Sequence, residues 1–508
     1  MKERLTFLPS ADSGLSKDDL LVRPDRLEYT KAHLTDAEWR LTLGVDEVPD
    51  ELRAILKDSH ELHLRWTSTK NRIPQPPNPI VSRLPPGLHA FFTPRLKDLD
   101  VPLCNLVDRL FFADSSSPKC VSVRSSFSRP AMLSERFSAS STYQFYAVGG
   151  SPGVSGDAVL SKLCGIHDEA ACGSWRTRLE DARSLDIDFD LISHTFVLTA
   201  QFSQLFHPEA SNKGLTVRKV KDDQRLEVGV LRAETTTEPE EIQMGGFLAV
   251  LGETGDADTV LFSFPSRHHA LPASSNMAYA AHFRSPTGLH PTLHLTFTSH
   301  SFEPPAPSCA LHAYWTLPSP IFLDRYQFAD PVFLASHNLG SLRSLSGAQD
   351  LEAPDWTVSP WGSAALLELA TPSLDTKRGD NSWTVTVPTH LRYVPAPSLE
   401  QERQSTSPLF VPHPSIFWAC TADQGLKMST NPFDRINLGY DALFGPKTIF
   451  YHVPPASETL NFTLDVEIPV LDPVAARAGH VELGTLVVVI MGFAWILSRM
   501  THVDNKKN

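Results

Sequence analysis

The stretch LDIDFDL, from Leu185 to Leu191, alternates strictly between apolar and acidic side chains. Successive side chains of a β-strand point to opposite faces of a sheet, so this alternation predicts a strand with one apolar face. The sequence further predicts that the apolar face is buried. The opposite face, which carries Asp186, Asp188 and Asp190, is predicted to be solvated.

The same alternation recurs along the chain after this stretch. Turn-forming residues separate the further predicted strands, which are TFVLTAQF, RLEVGVL, GGFLAVL, TVLFSF, TLHLTF and SWTVTV. The 41 prolines and 26 glycines among 508 residues are incompatible with a mainly helical protein. We therefore predict a mainly β fold of antiparallel, sandwich-like sheets, and not a parallel sheet with crossover helices.

The first part of the chain combines strands with one helix. Pro49 precedes an apolar stripe at three- and four-residue spacing, formed by Leu52, Ile55 and Leu56, which predicts a helix. The following segment, Glu61 to Trp66, predicts a strand with leucines on one face and polar residues on the other. The N-terminal region is therefore expected to be a small α+β unit.

A single apolar segment, LGTLVVVIMGFAWIL from Leu483 to Leu497, lies near the C-terminus and carries no charge. As a helix it is about 22 Å long, slightly less than the roughly 27 Å hydrocarbon layer of the endoplasmic reticulum. Val481 and Met500 extend the apolar length, and Arg499 can extend its charge to the interface. These features predict a transmembrane helix; the alternative is a buried helix of a soluble core.

Charges beside this segment predict its orientation, because Lys and Arg remain on the cytosolic side. Arg499, Lys506 and Lys507 follow it, whereas acidic residues precede it, namely Asp465, Glu467, Asp472 and Glu482. The tail is then cytosolic and the body lumenal. The first twenty residues contain no apolar stretch of signal-peptide length, which by itself favours a tail-anchored adaptor with a cytosolic body.

Composition limits the possible partners and cofactors. The formal charge of -13 is spread without long charged runs, so nothing supports nucleic-acid binding. The six cysteines allow up to three disulfides with 15 pairings and lack the close pairs of a zinc site. One glycosylation sequon, at Asn461, lies about twenty residues before the predicted membrane helix.

Two motifs contain residue types that are also found in catalytic sites. The Asp186 to Asp190 run resembles the D-x-D pair with which lumenal glycosyltransferases hold a metal-bound nucleotide sugar, but alternation alone explains it. Ser266 to His269 (SRHH) favours a structural turn in which Arg267 pairs with an acid. The sequence has no phosphate-binding glycine loop and no H-E-x-x-H. We expect no catalytic, metal or cofactor site and no small-molecule substrate.

Five further pieces follow one another along the chain: GLHPTLHLTF (288–297), CALHAYWTLPSPIFLDRYQF (309–328), VPTHLRYVPAP (387–397), PSIFWAC (414–420) and the terminal apolar helix. In this order they resemble the PIG-X family, and closely its fungal branch, the protease B non-derepressible proteins. Similarity therefore spans about Pro286 to Leu497, and EVGVL, GGFLAVLGE and FSFPSRHH resemble segments of the fungal branch.

The resemblance implies a non-catalytic, single-pass protein of the endoplasmic reticulum membrane with a lumenal body. Its implied partner is the multispanning catalytic subunit of glycosylphosphatidylinositol (GPI) mannosyltransferase I, which adds the first mannose to the anchor precursor; a general role in folding is the rival. The expected organisation is an α+β region (1–112), a Ser-rich linker (113–141), a middle β region (142–285), a PIG-X-like lumenal β domain (286–475), a transmembrane helix (483–500) and a cytosolic tail (501–508).

Candidate site residues follow from the last two matching body segments. The family-motif residues expected to contact the partner are His390, Arg392, Tyr393, Pro395, Phe417 and Trp418. Cys309 and Cys420, each beside an aromatic strand in the PIG-X-like part, form a hypothetical disulfide. The helix offers few small residues for close packing, so we expect the body to carry most of the partner specificity.

Overall fold

The computed structural model describes residues 2–9, 14–31, 34–68, 84–96, 99, 101–113, 119–129, 142–151, 179, 182–203, 214–219, 225–233, 243–252, 258–272, 275–285, 288–299, 301–358, 361–372, 382–395, 405–422, 431, 433, 439–445, 447–456, 463–470 and 477–504.

Strands dominate the described residues, which confirms the mainly β prediction. The strands are β1 (Lys2–Pro9), β2 (Leu20–Arg23), β3 (Arg26–Tyr29), β4 (Leu34–Gly44), β5 (Ser59–Thr67), β6 (Gly87–Pro94), β7 (Tyr143–Ala147), β8 (Ser184–Asp190), β9 (Thr195–Ser203), β10 (Leu215–Arg218), β11 (Leu226–Ala233), β12 (Gln243–Leu251), β13 (Val260–Pro265), β14 (His268–Ala270), β15 (Ala278–Phe283), β16 (Thr292–Thr298), β17 (Ala310–Leu317), β18 (Ile321–Phe322), β19 (Leu339–Gly347), β20 (Ser363–Leu369), β21 (Ser382–Pro388), β22 (His390–Leu391), β23 (Thr406–Pro412), β24 (Ser415–Thr421), β25 (Thr448–His452) and β26 (Thr463–Pro469). The helices are α1 (Asp50–Lys57), α2 (Leu103–Phe111), α3 (Val123–Ser126), α4 (Pro331–Ser336) and α5 (Arg477–Asp504).

The first half of the chain forms a ten-stranded sheet in the order β13-β12-β11-β1-β4-β9-β8-β5-β6-β7. Its pairs are antiparallel except β1 with β11. Helix α1 forms where the sequence predicts it, and its apolar stripe of Leu52, Ile55 and Leu56 is buried in the same core as the sheet. Burial of each such side chain contributes about 2 kcal/mol.

The second half of the chain forms a sandwich. One layer is a six-stranded sheet in the order β14-β25-β24-β17-β20-β19, and a three-stranded sheet in the order β15-β16-β21 faces it across a shared apolar core. Within this core Phe283 packs against Trp315, with ring centroids 6.1 Å apart. The smaller pair β23-β26 contributes Val411, Leu464 and Val466 to the same core.

The two halves pack directly on one another. Gln144 Nε2 of β7 donates a hydrogen bond of 3.0 Å to the Tyr314 hydroxyl of β17. Phe417 and Phe450, from the six-stranded sheet, belong to the core of the ten-stranded sheet. Strand β14 follows β13 after two residues and pairs in parallel with β25, so the chain passes directly from one sheet to the other.

Strand pairing crosses two of the predicted domain boundaries. The ten-stranded sheet takes strands from both sides of the Ser-rich segment 113–141. Part of that segment is folded, because α3 lies within it and Cys120 is buried. The sheets of the PIG-X-like part likewise include β14 and β15, which precede residue 286. The domain division itself stays a prediction.

Helix α5 contains the predicted apolar segment and begins six residues before it. Among the described residues, Gly479–Arg499 is the one span long and apolar enough to cross a membrane. Its 21 residues are about 31 Å long as a helix, which matches a bilayer core of about 30 Å. No part of this span is buried against the body, so the alternative of a soluble core helix is wrong.

Two disulfides are present among the described residues. Cys104 of α2 joins Cys120 across a separation of 16 residues, and Cys309 joins Cys420 across 111 residues. The second bond lies next to the register pair Ala310 and Ala419, so it fixes one end of the β17-β24 pair. Cys164 and Cys172 lie outside the described residues.

Removing each disulfide should destabilise the protein by an amount that depends on loop length. In the chain-entropy model the 111-residue separation corresponds to about 5 kcal/mol and the 16-residue separation to about 3 kcal/mol. Denaturant unfolding of the Cys309→Ala, Cys420→Ala variant, compared with Cys104→Ala, Cys120→Ala, measures the difference. Peptide mapping without reduction that finds Cys309 and Cys420 as free thiols would contradict this pairing.

Candidate functional site

The prediction of a solvated aspartate face on β8 is wrong for Asp186 and Asp188. Asp186 is buried, and Asp188 is partly buried. The physical reason is the neighbouring strand β5, whose register sets His63 opposite Asp188 and Arg65 opposite Asp186. Both of these side chains are themselves buried, so the polar faces of β5 and β8 form one enclosed cluster.

Asp188 is the centre of this cluster. Arg65 donates two hydrogen bonds to it, from Nη1 to Oδ2 at 2.8 Å and from Nη2 to Oδ1 at 2.6 Å. His63 Nδ1 lies 2.6 Å from Oδ1, and because a carboxylate only accepts, this ring nitrogen carries the proton. Arg65 Nη1 also lies 3.7 Å from Asp186 Oδ2. The arrangement is a bidentate ion pair with a second acid beside it.

The charges of the cluster stabilise each other. Burial raises the pKa of Asp188, but the charge of Arg65 and the hydrogen bonds from His63 and Arg65 outweigh it and hold that pKa well below its usual range. Burial lowers the pKa of Arg65, yet Asp188, Asp186 and Asp441 raise it above its ordinary value. Asp441 belongs to the C-terminal half, so a charge from that half also acts on the cluster.

A D-x-D metal site needs two carboxylates that converge on one cation. Here both oxygens of Asp188 accept hydrogen bonds from Arg65. Within the described ranges, no group of three or more His, Cys, Asp or Glu residues is placed to hold a metal ion. The geometry of β5 and β8 is therefore that of a structural ion cluster.

The Ser266 to His269 segment is only partly the predicted turn. Ser266 and Arg267 connect β13 to β14, whereas His268 and His269 lie in β14 itself. The guanidinium of Arg267 lies 3.4 Å from the carbonyl oxygens of Gly445 and Thr448, and His268 Nδ1 lies 3.0 Å from His452 Nε2. These contacts hold β14 against β25 in the six-stranded sheet. Burial lowers the pKa of His269 to about 4.

Three segments of the PIG-X-like part meet at the buried side chain of Arg392. Its guanidinium lies 4.2 Å from the ring centroid of Phe322. Nη1 donates to the carbonyl oxygen of Ala353 at 2.8 Å and also to that of Asp350. We call the region formed by residues 320–327, 350–356 and 390–395 the Arg392 corner.

Backbone contacts complete the Arg392 corner. The Arg392 N–H donates to the carbonyl of Pro320 at 2.7 Å, and the Asp355 N–H donates to the carbonyl of Tyr393 at 2.9 Å. Burial lowers the pKa of Arg392, although Asp350 and Asp355 act in the opposite direction. A planar guanidinium can hold carbonyls in its plane and stack on a ring at once, which a lysine cannot do.

His390 forms the other side of the corner. Its ring stacks on Phe322 at 5.5 Å, its Nε2 lies 3.2 Å from Gln327 Oε1, and its Nδ1 lies 3.0 Å from His290 Nδ1. Burial, and then the charge of His290, lower the pKa of His390. Tyr393 and Pro395 follow at the surface, and Tyr393 is 65% exposed.

The structure separates the remaining predicted site residues from this corner. Phe417 and Trp418 are buried in β24, where they contribute to different apolar cores. The disulfide between Cys309 and Cys420 lies at the start of β17, next to Ala310, whereas the corner follows the other end of this strand, at Pro320. Asn461 lies outside the described residues. The proposed partner contact is thus concentrated at His390 to Pro395.

Sequence reasoning missed several participants in these two clusters. His63 and Arg65 alternate in ELHLRW with the same period as the aspartates of LDIDFDL, and opposite charges in two alternating strands could have indicated the pairing. The exposed Tyr326 lies in the segment 309–328, which resembles the PIG-X family, but was not predicted to be a site residue. Trp356 and the carbonyls of Asp350 and Ala353 carried no local signal, because their role depends on contact with Arg392 about 40 residues away.

Comparisons with known proteins agree with the resemblance in the sequence. The family model PIG-X / PBN1 matches residues 286–501. Protein pbn1 of Emericella nidulans is 40% identical over 519 residues, which cover 98% of this chain and 95% of the relative. Protein pbn1 of Neurospora crassa is 38% identical over 517 residues, covering 100% and 96%. Protein PBN1 of Saccharomyces cerevisiae is 26% identical over 298 residues, covering 58% and 62%.

Replacing Asp188 by Asn should lower the free energy of unfolding by about 3 kcal/mol at pH 7, because the buried Arg65 loses its ionised partner. The pKa of Asp188 is lowered in the folded protein. Its contribution is therefore fully present above the unfolded pKa of about 3.9 and is lost as the pH falls through the folded value. The free energies of unfolding of the wild type and of Asp188→Asn are measured from pH 7 towards pH 2. Only the wild type should show the loss of this contribution.

Asp190→Asn is the matched control, since the same change on the same strand keeps an acceptor for the Ile192 N–H. It should alter the free energy of unfolding by less than about 0.5 kcal/mol. An Asp188→Asn variant with the stability of the wild type would contradict the structural role of this ion cluster.

Proposed function

The chain belongs to the PIG-X / PBN1 family, and on this premise we propose that it is a non-catalytic accessory subunit that stabilises the catalytic subunit of GPI mannosyltransferase I. Its function lies in the biosynthesis of GPI anchors. Family membership over the whole chain is the observation that carries the proposal, since the most similar relatives described above are covered almost from end to end.

The proposal locates the chain in the endoplasmic reticulum membrane. Helix α5 serves as the single anchor, the β body lies in the lumen, and the tail after the helix lies in the cytosol. Two disulfides in the body suit an oxidising lumen. The positive charges after the span suit a cytosolic tail.

A role without catalysis agrees with the chemistry of the described side chains. The acidic run of β8 is neutralised by Arg65 and His63, and the histidines of β14 lie in the packed contact with β25. The Arg392 corner, by contrast, is a rigid surface with exposed aromatic side chains, which is what a protein-binding role needs. The subunit would therefore act by binding its partner.

Depletion of the chain should lower both the steady-state level of the catalytic subunit and the amount of mannosylated anchor precursor. Overproduction of the catalytic subunit should then restore part of the mannosylation, because the transferase chemistry resides in that subunit. Immunoblots and labelling of the precursor measure the two quantities. A depletion that leaves the catalytic subunit abundant while mannosylation stops completely would contradict the accessory role.

Protease treatment of sealed microsomes should leave the body intact and remove the short tail after Arg499. Digestion with an endoglycosidase should increase mobility if Asn461 is glycosylated, and Asn461→Gln is the control for that shift. Complete digestion of the body in sealed microsomes would contradict the lumenal orientation and support the tail-anchored adaptor.

A further inference from the structure

Exposed aromatic side chains project from all three segments that Arg392 joins. Tyr326 is 64% exposed, Trp356 61% and Tyr393 65%. Leu351, beside the carbonyl that Arg392 holds, is also exposed. Trp, Tyr and Arg dominate the binding energy of protein interfaces, and anchors of this kind are most effective on a rigid support. The buried guanidinium of Arg392 provides that support.

The surroundings of these aromatic residues are acidic. The corner segments 320–327 and 350–356 contain four carboxylates, namely Asp324, Asp350, Glu352 and Asp355, against the single Arg325. The guanidinium of Arg325 stacks over Tyr326 at 4.8 Å. The positive charge of Arg392 is buried beneath the surface. An incoming partner therefore meets aromatic rings within a mainly negative rim.

We propose that the Arg392 corner is the docking surface for a Lys- or Arg-bearing lumenal segment of the catalytic subunit. This inference rests on the proposed accessory function and names the surface and the chemistry of its partner. A cationic side chain gains both from the negative rim and from stacking on Trp356 or Tyr393. A bilayer surface rich in anionic lipid would be repelled by the same rim, so the occupant is a protein segment.

The test is co-purification of the full-length chain with the co-expressed catalytic subunit in mild detergent. A Trp356→Ser, Tyr393→Ser variant should recover about tenfold less catalytic subunit than the wild type, as expected when two aromatic anchors are lost. Glu352→Lys should reduce recovery about threefold or more, and higher salt should weaken the wild-type complex.

Glu352 gives the cleanest charge variant. Its side chain is exposed, and its backbone N–H, which donates to Asp350 Oδ1 at 2.9 Å, is unaffected by the substitution. Glu303→Lys is the matched charge control. This exposed residue lies before the start of β17, whereas the Arg392 corner begins after the other end of β17, at Pro320. Ile192→Ser, at a side chain that is 82% exposed in the β8-β9 turn, is the apolar control. Both controls should stay within twofold of the wild type.

Each outcome separates this inference from the proposed function. If the wild type does not recover the catalytic subunit, the accessory function fails and this inference fails with it. If the wild type and all corner variants recover it equally, the accessory function stands and the docking surface is overturned. Flotation with vesicles of phosphatidylcholine and phosphatidylserine tests the lipid alternative. Loss of flotation in the Trp356→Ser, Tyr393→Ser variant, with recovery of the subunit unchanged, would overturn the protein occupant.

Discussion

The ion pair between Arg65 and Asp188 is the interaction on which the pairing of β5 and β8 in the ten-stranded sheet depends. A guanidinium taken out of water is costly unless a carboxylate and further acceptors surround it. Asp188 and Asp186 supply these acids from the next strand, and the charge of Asp441 acts on Arg65 from the C-terminal half. Phe417 and Phe450 of that half also belong to the core of the ten-stranded sheet. Charge and packing together therefore favour a single packed body over two independent domains.

This packing gives the PIG-X-like part a rigid attachment. The Gln144 to Tyr314 hydrogen bond and the passage from β13 to β14 join the same two halves. On the sandwich the Arg392 corner then presents Trp356 and Tyr393 from a framework held by buried contacts. Helix α5, in contrast, makes no buried contact along Gly479–Arg499, the segment long and apolar enough to cross a membrane. Recognition and anchoring are thus assigned to separate parts of the chain.

Local pattern was sufficient to predict several strands, among them β5, β8 and β16, together with helix α1 and the apolar helix, because each depends on the periodicity of neighbouring residues. Local pattern was insufficient to predict the surroundings of the acidic face of β8. Alternation in LDIDFDL defines two faces, but whether the acidic face meets water or Arg65 depends on strand β5, more than 100 residues away. The same limit applies to Arg392. Its segment resembles the family motif, but its hydrogen bonds to the carbonyl oxygens of Asp350 and Ala353 follow from tertiary packing alone.

The most direct test of this division between body and anchor is an exchange of the helix. Residues Leu483 to Leu497 are replaced by an unrelated apolar helix of equal length, and the steady-state level of the catalytic subunit is measured. Retained abundance is the predicted result, because the β body carries the specificity and any helix of suitable length preserves its local concentration at the membrane. A fall to the level seen after complete deletion of the chain would contradict the account and identify the helix as the recognition element.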